Sequence, residues 1–371
     1  MEFHCKREDL INSLKKIQGI VEKNPVIPIA SNLLLEAKKD TLIFRATNFE
    51  VGIIVENKIP IVKDGAIIID AQKFFEIVRE MPDGEISLKR KDDGWVEIKH
   101  GTRILFNLAV LADEQYPPVK PDSKIQFVKI EAGHLSELIQ KTIYACSDDR
   151  TRDVLRGILL EQNNSALRMV ATDGHRLALA EREILKGDTV TIERGTIIPR
   201  IGAKEIKRLA QELEEKDTVE VGFGEKNITV RKGEETLIIR LIEGDFPDYK
   251  RVIPQNNTKK LLVKERDLLE SLKRVMLITE EETRAVTFSV KKGFLTILSK
   301  KAGTGDVREE REVDYEGEEF DFSLNSRYML DVLSALEGEK ISLEVEDSST
   351  PILIKEADRE DVLSVVMPMM L

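Results

Sequence analysis

An internal repeat constrains this chain more than any other feature of its sequence. Residues 31–50 (SNLLLEAKKDTLIFRATNFE) align with residues 156–175 (RGILLEQNNSALRMVATDGH) at a constant spacing of 125 positions. A fainter third copy aligns KERDLLESLKRV (264–275) with CKREDLINSLKKI (5–17). A fixed period indicates duplicated structural units, and a chain of 371 residues is long enough for several hydrophobic cores. We therefore expect three tandem domains, at 1–123, 124–256 and 257–371.

Each copy has the same pattern of elements. Leu10, Leu14 and Ile17 recur at helical spacing near the start of the first copy, and short runs such as TLIFRATN alternate between apolar and polar residues as strands do. A second amphipathic helix is predicted in each copy, over 71–81, 203–215 and 326–338. Two helices and several short antiparallel strands per copy pack as a helix pair on a sheet, which is an α+β architecture.

Cysteine content and hydropathy limit the class of protein. The two cysteines, Cys5 and Cys146, lie far apart without CxxC spacing, so we expect reduced thiols and no disulfide framework. The first residues, MEFHCKREDL, are charged where a signal peptide is apolar, and no apolar run approaches the length that spans a bilayer. These observations predict a cytoplasmic protein without a membrane segment.

The formal charge of −11 disfavours nucleic acid as a partner only if the charges are evenly spread. Acidic residues crowd in DVREERE (306–312), GEEFD (317–321) and EVED (344–347), whereas basic residues recur on and beside the predicted helices. The basic set is Lys15, Lys16, Lys23, Arg200, Lys204, Lys207, Arg208, Lys264, Arg266, Lys273 and Arg274. One face could be basic while the whole is acidic, although ordinary mixing of lysine and glutamate on solvated helices explains the same pattern.

The stretch ATDGHRLAL (171–179) is a compact polar motif between apolar residues. Its Asp–Gly pair predicts a tight turn, in which Gly174 supplies a backbone conformation that other residues avoid. Two functions stay open on these residues alone: a hydrolase centred on Asp173 and His175, and a non-catalytic scaffold whose three domains bind partner proteins. The four histidines show no metal-ligand spacing, so neither a metal nor a cofactor is predicted.

Six features in order resemble the bacterial DNA polymerase III beta subunit family over the whole chain. They are the threefold repeat, IPI…NLLLE (27–36), the AQKFFEIVR helix, ATDGHRLA, GDFPDYKRVIP (244–254) and the terminal VVMPMML. The resemblance implies a ring-shaped dimer with three DNA-clamp domains per chain, helices inside and antiparallel sheets outside. It implies a sliding clamp that encircles double-stranded DNA and tethers the replicative polymerase as a processivity factor, with no catalysis of its own. Other implied partners are a second copy of the chain, an ATP-dependent clamp loader and repair proteins that bind through short linear motifs.

The same resemblance assigns site residues. The implied pocket for partner peptides comprises Leu155, Thr172, Gly174, His175, Arg176, Leu177, Pro247, Arg251, Val252, Val365, Val366, Met367, Pro368 and Met369. The implied DNA-facing residues are Lys23, Arg150, Arg152, Arg200 and Lys204, and the implied dimer interface is Lys73, Ile77, Phe106, Leu108, Leu277 and Ile278. The chain departs from the family pattern where Met370 replaces the usual arginine, and where Asp153 and Val154 replace an aromatic pair.

Overall fold

The repeat reappears in the structure as a repeated order of elements. The computed structural model describes residues 1–21, 26–91, 94–111, 116–122, 125–183 and 195–370. Within them, each copy runs strand, helix, three strands, a further strand, a second helix and three strands, and the first copy has one additional short strand before its second helix. The predicted α+β class is confirmed.

The elements of each copy have the following bounds. The first copy contains β1 (Glu2–Lys6), α1 (Arg7–Gln18), β2 (Asn32–Lys38), β3 (Thr41–Thr47), β4 (Val51–Lys58), β5 (Ile61–Lys63), β6 (Gly65–Asp70), α2 (Ala71–Glu80), β7 (Glu85–Arg90), β8 (Trp95–His100) and β9 (Ile104–Ala109). The second contains β10 (Phe127–Glu131), α3 (Ala132–Thr142), β11 (Gly157–Asn163), β12 (Ala166–Thr172), β13 (Arg176–Glu183), β14 (Thr196–Pro199), α4 (Arg200–Gln211), β15 (Thr218–Phe223), β16 (Asn227–Lys232) and β17 (Glu235–Arg240). The third contains β18 (Lys259–Lys264), α5 (Glu265–Val275), β19 (Ala285–Lys291), β20 (Phe294–Lys301), β21 (Gly305–Glu312), β22 (Phe320–Asn325), α6 (Ser326–Ala335), β23 (Lys340–Val345), β24 (Ile352–Glu356) and β25 (Val362–Val366).

The first helix of each copy buries one apolar stripe because its leucines and isoleucines recur on one face. The fully or nearly fully buried positions correspond in all three copies: Leu10 and Leu14, Leu135 and Ile139, and Leu268 and Leu272. The aligned repeat therefore has a packing cause, since each copy needs the same apolar residues to hold its first helix on its sheets.

The second helices begin where local chemistry favours a start. Asp70 accepts a hydrogen bond from the Lys73 backbone N–H at 2.7 Å and so caps α2, and α4 follows Pro199, which lacks an N–H of its own. All three predicted second helices run past the observed end, which is Glu80 for α2, Gln211 for α4 and Ala335 for α6, and α4 begins at Arg200, before the predicted start at 203. The chain leaves α6 at Leu336 in an extended conformation while its side chain stays buried, so apolar periodicity continues past the true end.

The strands form antiparallel sheets that join the copies. One eight-stranded sheet has the order β10-β15-β16-β17-β4-β3-β2-β6, and the other has the order β14-β11-β12-β13-β25-β24-β23-β18. Smaller sheets have the orders β5-β1-β7-β8-β9 and β21-β20-β19-β22. Strand β17 of the second copy thus pairs with β4 of the first, and β25 of the third copy pairs with β13 of the second.

This pairing divides the chain into two compact units, residues 1–132 with 204–241 and residues 133–203 with 242–371. The second copy contributes strands to both eight-stranded sheets, so the compact units do not follow the repeat boundaries. None of the described helices is long and apolar enough to cross a membrane.

A buried ion pair lies within each unit and links neighbouring copies. In the first unit, Lys16 of α1 lies 3.0 Å from the fully buried Glu235 of β17, which also binds Arg208 at 2.6 Å. In the second unit, the fully buried Lys141 of α3 lies 3.0 Å from Glu356 of β24. Lys16 and Lys141 occupy the same place in the aligned repeat. Lys16 and Arg208 belong to the basic set expected to attract phosphate, but both are paired with the carboxylate of Glu235.

Candidate functional site

The ATDGHRLAL stretch forms the predicted turn between β12 and β13. Gly174 has a φ of +92°, which favours glycine. Asp173 Oδ1 accepts hydrogen bonds from the backbone N–H groups of His175 at 2.9 Å and Arg176 at 3.0 Å. Thr172 Oγ1 donates to the Arg176 carbonyl at 2.6 Å. The polar side chains of this motif therefore stabilise the turn itself.

The geometry around His175 does not support a hydrolytic centre. Its exposed ring stacks on Tyr328 of α6 with ring centroids 6.1 Å apart and makes no hydrogen bond to a described residue. Asp173, the other residue of the hydrolase hypothesis, is held by the turn and by the Arg176 guanidinium at 3.0 Å. A hydrolase needs a nucleophile, a base and an orienting group within reach of one another. No group of three or more metal-ligating side chains occurs among the described residues.

Arg176 faces away from the apolar side of β13 and ties this strand to α6. Its guanidinium lies 2.6 Å from Asp331 and 3.0 Å from Asp173, and it stacks over the rings of Tyr328 and Tyr144. Burial alone would lower the pKa of Arg176, but the hydrogen bond to Asp331 and the charge of Asp173 outweigh burial and raise it. Arg176 is therefore a permanent cation that supports the turn from behind.

An apolar cluster covers the opposite face of β13 and β25. Leu177 pairs directly with Val365 across the two strands. The buried members of the cluster are Leu159, Val170, Leu177, Leu179, Ile197, Tyr249, Leu353 and Val365, with Val154, Ile242, Phe246, Ile253 and Leu363 packed against them. We call this set the β13–β25 cluster. Leu155, from the short helix beside it, is buried as well.

The rim of the β13–β25 cluster is accessible. Pro247 and Val252 are exposed, and the side chain of Arg251 is 86% exposed and forms an ion pair with Asp248. The tail passes the same place, because the Met367 N–H donates to the His175 carbonyl at 2.9 Å and the Met369 N–H to the Ser323 carbonyl at 2.8 Å.

Most of the residues expected in the peptide pocket are thus brought together. Met367, Pro368 and Met369 are half-buried and run beside the turn that holds Thr172, Gly174 and His175. Val366 differs, since it is fully buried and lies on the opposite face of β25 from Val365, as alternation along a strand requires.

A cleft of about 520 Å³ adjoins the turn on the Arg176 side. It is lined by His175, Arg152, Arg200, Tyr328 and Asp331, among others. Sequence reasoning missed Tyr328 and Asp331. Their only signal is an aromatic and an acid in the predicted helix over 326–338, and nothing in the sequence connects that helix to the turn.

The residues expected to face DNA differ in how free their charges are. Arg200 lies 2.6 Å from Asp148 and Arg152 lies 3.6 Å from Asp149, whereas Arg150 is exposed. Lys204 is exposed and forms no ion pair with a described residue. Lys23 lies outside the described residues. Arg152 of the loop and Arg200 at the start of α4 are therefore partly neutralised by neighbouring aspartates, whereas Arg150 and Lys204 form no ion pair with a described residue.

The residues expected at the dimer interface lie on accessible surface. Phe106 and Leu108 belong to β9, an edge strand on which Leu105 and Phe106 are exposed. Lys73, which is bound to Glu76, and the half-buried Ile77 lie on α2. Leu277 is 77% exposed and Ile278 is half-buried, in the short helix after α5.

Comparison with known proteins places these features in a family. Three family models match the chain: "DNA polymerase III beta subunit, N-terminal domain" over residues 1–120, "central domain" over 129–248 and "C-terminal domain" over 250–370. A beta sliding clamp of Caulobacter vibrioides is 36% identical over 375 residues and spans all of both chains. The crystal structure of the DNA polymerase III subunit beta from Pseudomonas aeruginosa matches with a TM-score of 0.94 at 31% identity, and that of the sliding clamp from Caulobacter crescentus with 0.93 at 35%. Both matches cover all of each chain.

Proposed function

This chain belongs to the DNA polymerase III beta subunit family and is a DNA sliding clamp, a non-catalytic processivity factor, and we propose that two copies close head to tail into a ring around duplex DNA. The three domains of each chain span residues 1–123, 124–256 and 257–371. The family membership removes the hydrolase hypothesis.

The pairing of strands between copies of the repeat carries the ring proposal. Strands β4, β13 and β21 occupy one place in the repeat, and β9, β17 and β25 another. Within the chain, β4 pairs with β17 and β13 pairs with β25. The remaining members, β21 and β9, are both sheet edges. A second chain supplies the missing partner for each, which gives two identical interfaces and a closed assembly.

The two edges differ in chemistry, which favours pairing of unlike strands. Strand β9 exposes Leu105 and Phe106, whereas β21 carries the charged sequence GDVREERE. Leu277 and Ile278 lie in the short helix packed against β20 and β21 and provide apolar surface for β9. A mixed interface with an apolar core and a charged rim suits an assembly that has to open and close again.

DNA binding rests on lysines of the predicted basic set that form no ion pair with a described residue. These lysines, on or beside α1, α4 and α5, are Lys15, Lys204, Lys207, Lys264 and Lys273. Lysines attract phosphate without reading base edges, so the protein can move along any sequence. In a closed ring, retention comes from topology and not from affinity.

The β13–β25 cluster and its rim form the binding site for partner peptides. Its buried aliphatic residues and the adaptable side chains of Met367 and Met369 suit peptides that carry apolar anchors. The replicative polymerase, the ATP-dependent clamp loader and repair proteins bind here through short linear motifs. The protein acts in the cytoplasm, where the bacterial chromosome lies.

Topological retention is tested by loading the protein on a nicked circular plasmid and raising the salt concentration. The loaded protein should stay on the circle in high salt, because counterion release weakens phosphate contacts but does not open a closed ring. Cutting the circle once should release the protein at the same salt concentration. A protein that stays bound after linearisation, or leaves the intact circle as salt rises, contradicts the ring.

A further inference from the structure

The segment Phe246 to Val252, which follows β17 and borders the β13–β25 cluster, has a single deep anchor. Phe246 is half-buried, and from Pro247 to Val252 only Tyr249 is buried, at 4% exposure. The position of the exposed rim residues Pro247, Arg251 and Val252 therefore depends on how Tyr249 is held.

The Tyr249 hydroxyl is held by groups on two strands of the sheet, and a third strand supports them. It donates to Glu161 of β11 and accepts a hydrogen bond from Arg168 of β12 at 2.9 Å. The Arg168 guanidinium in turn binds Glu161 at 3.3 Å and Glu181 of β13. Burial, and then the hydrogen bond to Glu161, raise the pKa of Tyr249 to about 12. The phenol is therefore protonated at neutral pH, and its O–H donates to Glu161.

The first copy holds its corresponding segment in a different way. Arg45 of β3 lies 2.6 Å from Glu36 and donates to the backbone carbonyl of Val119 at 3.0 Å. Glu36 and Glu161 occupy the same place in the aligned repeat. Any residue at position 119 offers that carbonyl, whereas the contact at position 249 is made by the side-chain hydroxyl of Tyr249 to Arg168 and Glu161. At this position the second copy thus uses a side-chain hydroxyl where the first copy uses a backbone carbonyl.

We propose that Tyr249 is a positioning residue for the partner-peptide site, whose hydroxyl sets the place of the rim formed by Pro247, Arg251 and Val252. This proposal rests on the proposed peptide-binding function of the β13–β25 cluster. Tyr249 is buried and does not itself have to touch the peptide. Its contribution is to keep the rim in one position before the peptide arrives, which reduces the ordering cost of binding.

The test is Tyr249→Phe in the full-length protein, which keeps the ring in the cluster and removes only the hydroxyl. The probe is a fluorescent peptide with a glutamine followed by leucine and phenylalanine anchors, measured by anisotropy and stopped-flow dissociation. We expect affinity to fall about 3- to 10-fold, the range of a lost buried hydrogen bond, with most of the change in the dissociation rate. Glu161→Gln retains an acceptor for the phenol and should lose about 3-fold or less.

The matched control is Arg45→Met, which breaks the equivalent hold in the other unit. Arg45→Met should leave peptide affinity and dissociation rate unchanged, and all three variants should keep wild-type oligomeric mass and retention on circular DNA. Equal affinity and dissociation rate in Tyr249→Phe and wild type would overturn the positioning role alone. A wild-type protein that fails to bind the peptide would refute the peptide site, and with it the role of Tyr249.

Discussion

Removing the ammonium of Lys141 should destabilise the unit of residues 133–203 and 242–371 by about 3 kcal/mol. Lys141 has no exposed side-chain surface, and Glu356, 3.0 Å away, is 5% exposed. Breaking one partner of a buried ion pair commonly costs about 3 to 5 kcal/mol because the remaining charge is left buried. Glu356 keeps the Glu337 N–H at 3.0 Å and Arg359 at 3.5 Å, so the lower end of that range applies to Lys141→Met.

The matched substitution is Lys16→Met in the other unit. The Lys16 side chain is 32% exposed, and Glu235 would keep Arg208 at 2.6 Å after the change. We therefore expect a loss of about 1 kcal/mol, since a partly hydrated pair with a second cation is worth less than a buried one. The two lysines correspond in the repeat, so the difference in cost isolates burial and remaining partners.

Urea unfolding separates the two effects because the chain has one tryptophan. Trp95 lies in the unit of residues 1–132 with 204–241, so its fluorescence follows that unit, while far-ultraviolet circular dichroism follows both. Lys141→Met should shift the dichroism transition with little change in fluorescence, and Lys16→Met should shift fluorescence modestly. Adding Glu356→Met to Lys141→Met should recover part of the loss, because an apolar pair replaces a buried carboxylate that has lost its lysine, while the Glu337 N–H loses its acceptor. Equal losses for the two single variants, or no recovery in the double variant, would refute the reasoning.

Three further predictions concern binding, assembly and thiol chemistry. Deleting residues 367–371 should cost on the order of 2 kcal/mol of peptide binding in titration calorimetry and leave retention on circular DNA intact. Unchanged affinity would mean that these residues take no part in the peptide site. Replacing Leu277 and Ile278 with aspartate should give a folded monomer in sedimentation, since charge would be buried against β9, whereas a persistent dimer would exclude this surface. Burial raises the pKa of Cys5 and Cys146 to about 12, so iodoacetamide should alkylate the folded protein slowly at pH 9 and rapidly in urea. Because the pKa of each thiol is higher in the folded chain than in the unfolded chain, the free energy of unfolding is unaffected below pH 9 and falls from about pH 9 to about pH 12. Rapid alkylation of the folded protein at pH 9 would contradict the burial of the two thiols.

The sequence predicted the elements of the fold better than the connections between them. The repeat and its apolar spacing identified both helices of each copy, because those residues pack against the sheet of their own copy. The pairing of β4 with β17 was not predictable, because alternation along a strand defines its faces and not its neighbour. The burial of Glu235 was not predictable either. A glutamate at the start of a strand is usually exposed to solvent, yet Glu235 is fully buried between Lys16 and Arg208.

At the candidate site, local chemistry was predictable and distant chemistry was not. The Asp–Gly pair of 173 and 174 defined the turn, because the conformation it requires is set by neighbouring residues alone. Tyr328 and Asp331 are far from that turn in sequence and meet it only through the packing of α6. The number of free positive charges in the basic set was overestimated for the same reason. Spacing places a lysine on a helix but does not reveal the carboxylate that neutralises it.

The strand pairs that join the copies also set when this protein can fold during synthesis. Ile53 pairs with Leu237, and Leu177 pairs with Val365, so each large sheet waits for a strand made roughly half a chain later. Until then β4 and β13 present unpaired edges made largely of apolar residues, and pairings this distant in sequence are slow to form. The rate of translation therefore affects how this chain folds. A ribosome that pauses after β13 prolongs the period in which the unpaired strands of two nascent chains can pair with each other.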